Sequence, residues 1–134
     1  MTGIPAHLPH RHPFLLVDRI LEREPGRRVV AEKLVTGGES GLQGGGGRPQ
    51  VPGLLLLEML AQAGGFLEAA SLHGAAIFLA GVREARFPAP AYPGDRLRLE
   101  VQAAGAFAGL MKLDGVVRCE GRELCTASLL VKRL

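Results

Sequence analysis

Two kinds of hydrophobic pattern divide this chain. Most of it reads as strands. Phe14 to Arg23 (Phe-Leu-Leu-Val-Asp-Arg-Ile-Leu-Glu-Arg) is a strand ended by the turn residues Glu24-Pro25-Gly26, and Arg27 to Val35 alternates enough to return as the second strand of a hairpin. Further on, Ala75 to Phe87 is a strand broken by Pro88, Pro90 and Pro93-Gly94. Leu97, Leu99 and Val101 then alternate with Arg96, Arg98, Glu100 and Gln102, the mark of a half-buried antiparallel strand. Phe107 to Cys119 and Leu124 to Lys132 are two more strands, joined by the hairpin signal Glu120-Gly121-Arg122.

The other pattern occurs once. Pro52 to His73 opens with Pro-Gly, has no β-branched residue and is rich in Leu, Met and Ala, which predicts one long helix. Leu54 through Leu57, Met59, Leu60, Ala61 and Ala63 run around its whole circumference, so it must be buried or lie in a membrane. Glu58, Gln62, Glu68 and the Gly64-Gly65 pair favour burial in protein, because a charge at the centre of a bilayer costs about 2.5 to 3.5 kcal/mol even on a lenient scale. The order is β-β-α-β-β-β-β, an α+β domain in which antiparallel hairpins curl around one helix, spanning residues 1–134 without an internal repeat or linker. One sheet cannot cover the whole helix, so a second subunit is the expected lid.

Glu58 is the candidate for chemistry, since it follows four leucines and a buried carboxylate must be protonated, paired or hydrogen-bonded. Three readings of it stand: a solvated residue favoured by the helix dipole, a structural acid satisfied by Gln62 one turn on, or a catalytic group. Gly37 to Val51 holds seven glycines in fifteen residues, Gly44 to Gly47 among them. No Gly-Lys-Ser/Thr follows, so this segment reads as a connection rather than a phosphate loop.

Composition narrows the picture. At 134 residues the chain suits one domain able to bury a normal core. Its two cysteines, Cys119 and Cys125, have no metal-type spacing and fit the core of a reduced protein. Met1 to His7 lacks a basic segment followed by an apolar run, so a cytoplasmic location is expected. The net charge of +3 is carried by arginines interleaved with acids, with one Tyr and no Trp to stack on bases, which argues against nucleic-acid binding. A basic rim receiving an acidic carrier protein is compatible with it. Residues 1 to 13 carry Pro5, Pro9 and Pro13 and have room for at most one helical turn.

Three blocks give the chain a resemblance. Pro9-His-Arg-His-Pro-Phe-Leu-Leu-Val-Asp-Arg19, Val51-Pro-Gly-Leu-Leu-Leu-Leu-Glu-Met-Leu-Ala-Gln62, and Ala85-Arg-Phe87 followed by Pro93-Gly-Asp-Arg-Leu97 are similar, in order and over nearly the full length, to the FabZ-type 3-hydroxyacyl-acyl carrier protein dehydratases. That resemblance implies the hotdog fold, a sheet wrapped around a central helix, working as a homodimer and often as a trimer of dimers. It also implies acyl thioesters on acyl carrier protein or CoA as ligands, in fatty acid biosynthesis, and no cofactor or metal. In such enzymes a His in a Gly-His-Phe-Pro-Gly loop acts as base at C2. A helix Glu from the other subunit assists loss of the 3-hydroxyl, and a backbone N–H at the helix start polarises the thioester carbonyl.

Carried over residue by residue, the helix acid falls on Glu58 and the N–H on Gly53, with Pro52, Leu54 and Gln62 beside the substrate. The base has no counterpart. Gln43-Gly44 aligns with the residues before it, and the position of the His is Gly45, followed by Gly46 and Gly47; the interval to Pro52-Gly53 is one residue short. His10, His12 and His73 are poor substitutes, His73 lying about 22 Å along the helix from Glu58 at 1.5 Å per residue. The expectation is therefore an acyl-thioester-binding protein impaired or inactive as a homodimeric dehydratase. One alternative is a thioesterase using Glu58 as nucleophile or base with the Gly53 N–H as oxyanion donor. Another is a subunit lending Glu58 to a His-bearing paralogue.

Overall fold

The computed structural model describes residues 2–3, 16–37, 47–67 and 77–133. Seven strands, β1 (Thr2–Gly3), β2 (Arg19–Glu24), β3 (Arg28–Leu34), β4 (Ile77–Arg86), β5 (Arg96–Phe107), β6 (Leu110–Cys119) and β7 (Arg122–Arg133), form one sheet in the order β1-β2-β3-β5-β6-β7-β4. Every neighbouring pair is antiparallel. Among the described residues the one α-helix, α1 (Gly53–Gly64), lies between β3 and β4 in the chain, and β4 is at the far edge, beside β7. This is the hotdog arrangement.

The alternation read from the sequence is what turns the inner face toward α1. Leu97, Leu99 and Val101 on β5, Leu113 and Val117 on β6, and Leu129 and Val131 on β7 are buried and share one core with Leu56, Met59, Leu60 and Phe66. The helix sits close because two glycines make room. A side chain at Gly64 would run into Leu113 Cδ1, and one at Gly115 on β6 would come within 2.9 Å of Leu60 Cδ1. Cys119 and Cys125 are buried thiols, and burial pushes Cys125 up to about 11.

The helix is shorter than expected. α-Helical bonding stops at Gly64, a 3-10 turn follows over Gly65–Leu67, and residues 68–73 of the expected helix lie outside the described residues. Two adjacent glycines are poor helix formers, and the carbonyls beyond them are used elsewhere. Phe66 O accepts Arg23 Nε at 2.7 Å, and Leu67 O accepts the Gly26 amide from the β2–β3 turn.

Several strand limits also differ. Leu16 to Asp18 precede β2 without regular pairing, held by Leu16 N–H to Gln62 Oε1 at 2.7 Å and Asp18 N–H to Glu32 O at 2.9 Å. β5 runs on to Phe107, and a tight turn at Ala108-Gly109, with φ of 50° and 77°, separates it from β6. β1 is an edge pair that the prolines of the first thirteen residues did not suggest. The hairpin expected at Glu120-Gly121-Arg122 is present, but its loop is two residues, Glu120 and Gly121, both at positive φ, and Arg122 already belongs to β7.

Candidate functional site

Pro52 fixes the start of α1. With φ −59° and ψ 144° it stands just outside the helix, and its carbonyl accepts the amides of Leu55 at 2.9 Å and Leu56 at 3.3 Å. The Gly53 and Leu54 amides precede these bonds and have no helical carbonyl to reach. Among the described residues no side chain caps this end, and the first turn carries no acid. It is therefore a pair of donors at the positive end of the helix dipole.

Leu54, Glu58 and Gln62 are four residues apart and form one stripe along α1. Exposure falls along it: Leu54 is 69% exposed, Glu58 is half-buried between buried Leu57 and Met59, and Gln62 is 1% exposed. The stripe thus leads from solvent to core, with the carboxylate midway. Gln62 holds Leu16 through its Oε1, so this oxygen already serves the fold at the inner end of the stripe.

The structure thus places Gly53, Leu54, Glu58 and Gln62 on one helix, with Pro52 at its N-cap. Gly45, the position of the expected base, and His10, His12 and His73 lie outside the described residues. Near the helix start, Val51 N–H donates to Ala91 O at 3.0 Å, and the Arg48 guanidinium stacks over the Tyr92 ring at 3.7 Å, a cation–π contact. Phe87 rests directly against Gly53. Its block, Ala85-Arg-Phe87, was visible in the sequence, but nothing there placed the ring at the helix start.

Arg19, Arg28, Arg96, Arg98 and Arg118 are matched by acids on the outer face of the sheet. Glu22 pairs with Arg28 at 3.3 Å and Arg98 at 3.4 Å; Glu32 takes Arg19 and, at 3.1 Å, Arg96; Glu100 takes Arg118 and, at 3.6 Å, Arg98. The hydrogen bond from Arg19 holds the Glu32 carboxyl below its ordinary value. A groove of about 630 Å³ on this face, between Arg28, Glu100, Asp114 and Arg118, contains no residue of α1 and is not the candidate site. Among the described residues no helix is long and apolar enough to cross a membrane, and no three potential ligands gather that could hold a metal ion.

Comparison with known proteins agrees with the fold. The FabA-like domain family matches residues 8–128. A 3-hydroxyacyl-[acyl-carrier-protein] dehydratase FabZ from Roseiflexus sp. (strain RS-1) is 49% identical over 131 residues, covering 95% of this chain and 91% of the relative. One of the same name from Escherichia coli O9:H4 (strain HS) is 43% identical over 94% of this chain and 87% of its own. Among solved structures, a chain of the dehydratase heterocomplex ApeI:P from Xenorhabdus doucetiae superposes with a TM-score of 0.81 at 23% identity, covering 99% of this chain and 93% of that one. The protein smu.793 from Streptococcus mutans UA159, bound to acetyl CoA, superposes with a TM-score of 0.67 at 15% identity, covering 87% of each chain.

Proposed function

This chain belongs to the FabZ-type, FabA-like hotdog family, and from that premise we propose that it binds acyl thioesters at the start of α1 but is disarmed as a homodimeric dehydratase. The observation that carries the reading is the stripe: a donor pair at Gly53 and Leu54, a half-buried Glu58 one turn deeper, and a sequence with glycine where a base belongs. A thioester carbonyl taking the Gly53 N–H gains polarisation from a donor that needs no reorganisation. Glu58 then lies on the face along which the acyl chain would run inward, placed to give a proton to a departing 3-hydroxyl.

Removing the C2 proton is the step left without a group. General acid or base catalysis contributes about 10²- to 10⁴-fold, roughly 3 to 5 kcal/mol of barrier, so Glu58 alone makes dehydration slow. The test is an assay of the purified chain with 3-hydroxyacyl and trans-2-enoyl thioesters. Binding with turnover at least a hundredfold below an ordinary dehydratase supports the reading; ordinary turnover ends it. Release of free thiol that vanishes in Glu58→Ala would instead establish the hydrolase alternative.

A second reading is favoured by the exposed apolar residues at the helix start, Leu54 and Phe87. The chain would pair there with a His-bearing relative and lend it Glu58. The likeness to a chain of a dehydratase heterocomplex supports this as a use of the fold. Co-expression with such a relative should restore turnover that is lost in Glu58→Ala, and recovery of a self-dimer alone excludes it.

A further inference from the structure

Phe87 stands against the candidate carbonyl donor, and its backbone is held from both sides. On one side β4 ends at Arg86, paired with Thr126 of β7. On the other side Pro88 confines Phe87 to extended conformations. The segment beyond is tied down by Val51 N–H to Ala91 O at 3.0 Å, Tyr92 N–H to Asp95 Oδ2 at 2.9 Å and Gly94 N–H to Val35 O at 2.7 Å. The ring so fixed lies on Gly53: a methyl there would come within 2.8 Å of Phe87 Cε1 and 3.0 Å of Cζ. Yet Phe87 is 46% exposed. A large apolar ring, anchored but uncovered, flanks an amide that has no helical partner.

A carbonyl oxygen accepting the Gly53 N–H sits about 2.9 Å from the nitrogen, and the Gly53 Cα is about 1.5 Å from that same nitrogen. The ring edge touches the space just beyond that Cα. Groups one or two bonds from the carbonyl carbon therefore fall within contact range of the ring. Resting on the reading that Gly53 receives a thioester carbonyl, we infer that Phe87 is a specificity-determining residue. Its ring walls the carbonyl site and sorts acyl thioesters by substitution at the carbon next to the carbonyl, favouring unbranched chains. The same ring keeps water from one side of the hydrogen bond, which strengthens it.

The test is equilibrium titration of crotonyl-CoA and 2-methylcrotonyl-CoA into the full chain, its Phe87→Ala variant and its Phe87→Tyr variant. The wild type should prefer crotonyl-CoA. Phe87→Ala should move the ratio of the two Kd values about tenfold toward the branched ligand, the usual scale for one methyl group in an apolar pocket. Phe87→Tyr should keep the wild-type ratio. A purely structural ring would weaken both ligands equally, so an unchanged ratio in Phe87→Ala overturns the inference while leaving the thioester reading intact. Binding of neither ligand by the wild type overturns both. Should Phe87→Ala fail to fold, Phe87→Leu keeps apolar packing and must shift the ratio in the same direction.

Discussion

The two ends of α1 each carry a glycine pressed against a bulky side chain, and they could hardly be used more differently. At the inner end Gly64 meets Leu113 Cδ1, with Val101 Cγ1 at 3.6 Å from the same point, and all three residues are buried. The carbonyls just beyond are taken by Arg23 and Gly26, so this end is packed and its carbonyls satisfied. At the outer end Gly53 meets Phe87, whose ring is half open to solvent, and the first amides have no helical acceptor. The same kind of contact thus serves close packing at one end and, on the proposed reading, close approach of a ligand at the other. A glycine in a helix is not by itself a statement about function; its neighbour's exposure is.

Alanine substitution should separate the two ends. Gly64→Ala forces a methyl into a core that cannot yield, and overpacking of this kind costs about 1 to 3 kcal/mol, read as a lower urea midpoint. Gly53→Ala meets the edge of a half-exposed ring rather than a filled core, so stability should fall by less than about 1 kcal/mol while crotonyl-CoA affinity drops at least fivefold, in line with a blocked carbonyl site. Equal losses of stability at both positions would remove the distinction. Gln62→Leu sharpens it from within the stripe. With Leu16 buried and its N–H deprived of Oε1, unfolding free energy should fall by about 1 to 3 kcal/mol, the penalty for an unpaired buried donor.

The smallest expected effect lies away from the helix. The Glu32 carboxyl is held below its ordinary value by Arg19, so the folded state keeps it charged more strongly than the unfolded chain does. Its contribution is present above the ordinary glutamate range, about 4.3, and is lost as pH falls through the lowered folded value. Glu32→Gln should therefore flatten part of the fall in stability at acid pH and leave crotonyl-CoA binding near neutrality unchanged.

Much of this was legible in the residues. Leu97, Leu99 and Val101 alternate with charged neighbours, and Glu120-Gly121 is the turn that a two-residue hairpin loop demands, so strands and pairing followed. The all-round apolar helix also read correctly as buried, but its end did not. In the sequence Gly64-Gly65 argues against a membrane; in the fold it also ends α-helical bonding, and the donors that take the carbonyls just beyond it belong to Arg23 and Gly26, far earlier in the chain. Ala108-Gly109 escaped notice because Ala-Gly is a weaker turn signal than Asn-Gly or Asp-Gly. For the candidate site, a motif on one helix points to Glu58 and Gly53. No such motif places Phe87 there, because its meeting with Gly53 depends on β4 crossing to the far edge of the sheet and returning at the helix start, a long-range fact that no local pattern encodes.

The account turns on the outer end of α1 being where a thioester is received. The most direct measurement is amide NMR of the full chain titrated with crotonyl-CoA. The Gly53 resonance is predicted to move downfield as its N–H takes the carbonyl, with Gly64 unmoved. Saturable binding that shifts amides elsewhere and leaves Gly53 in place would contradict it.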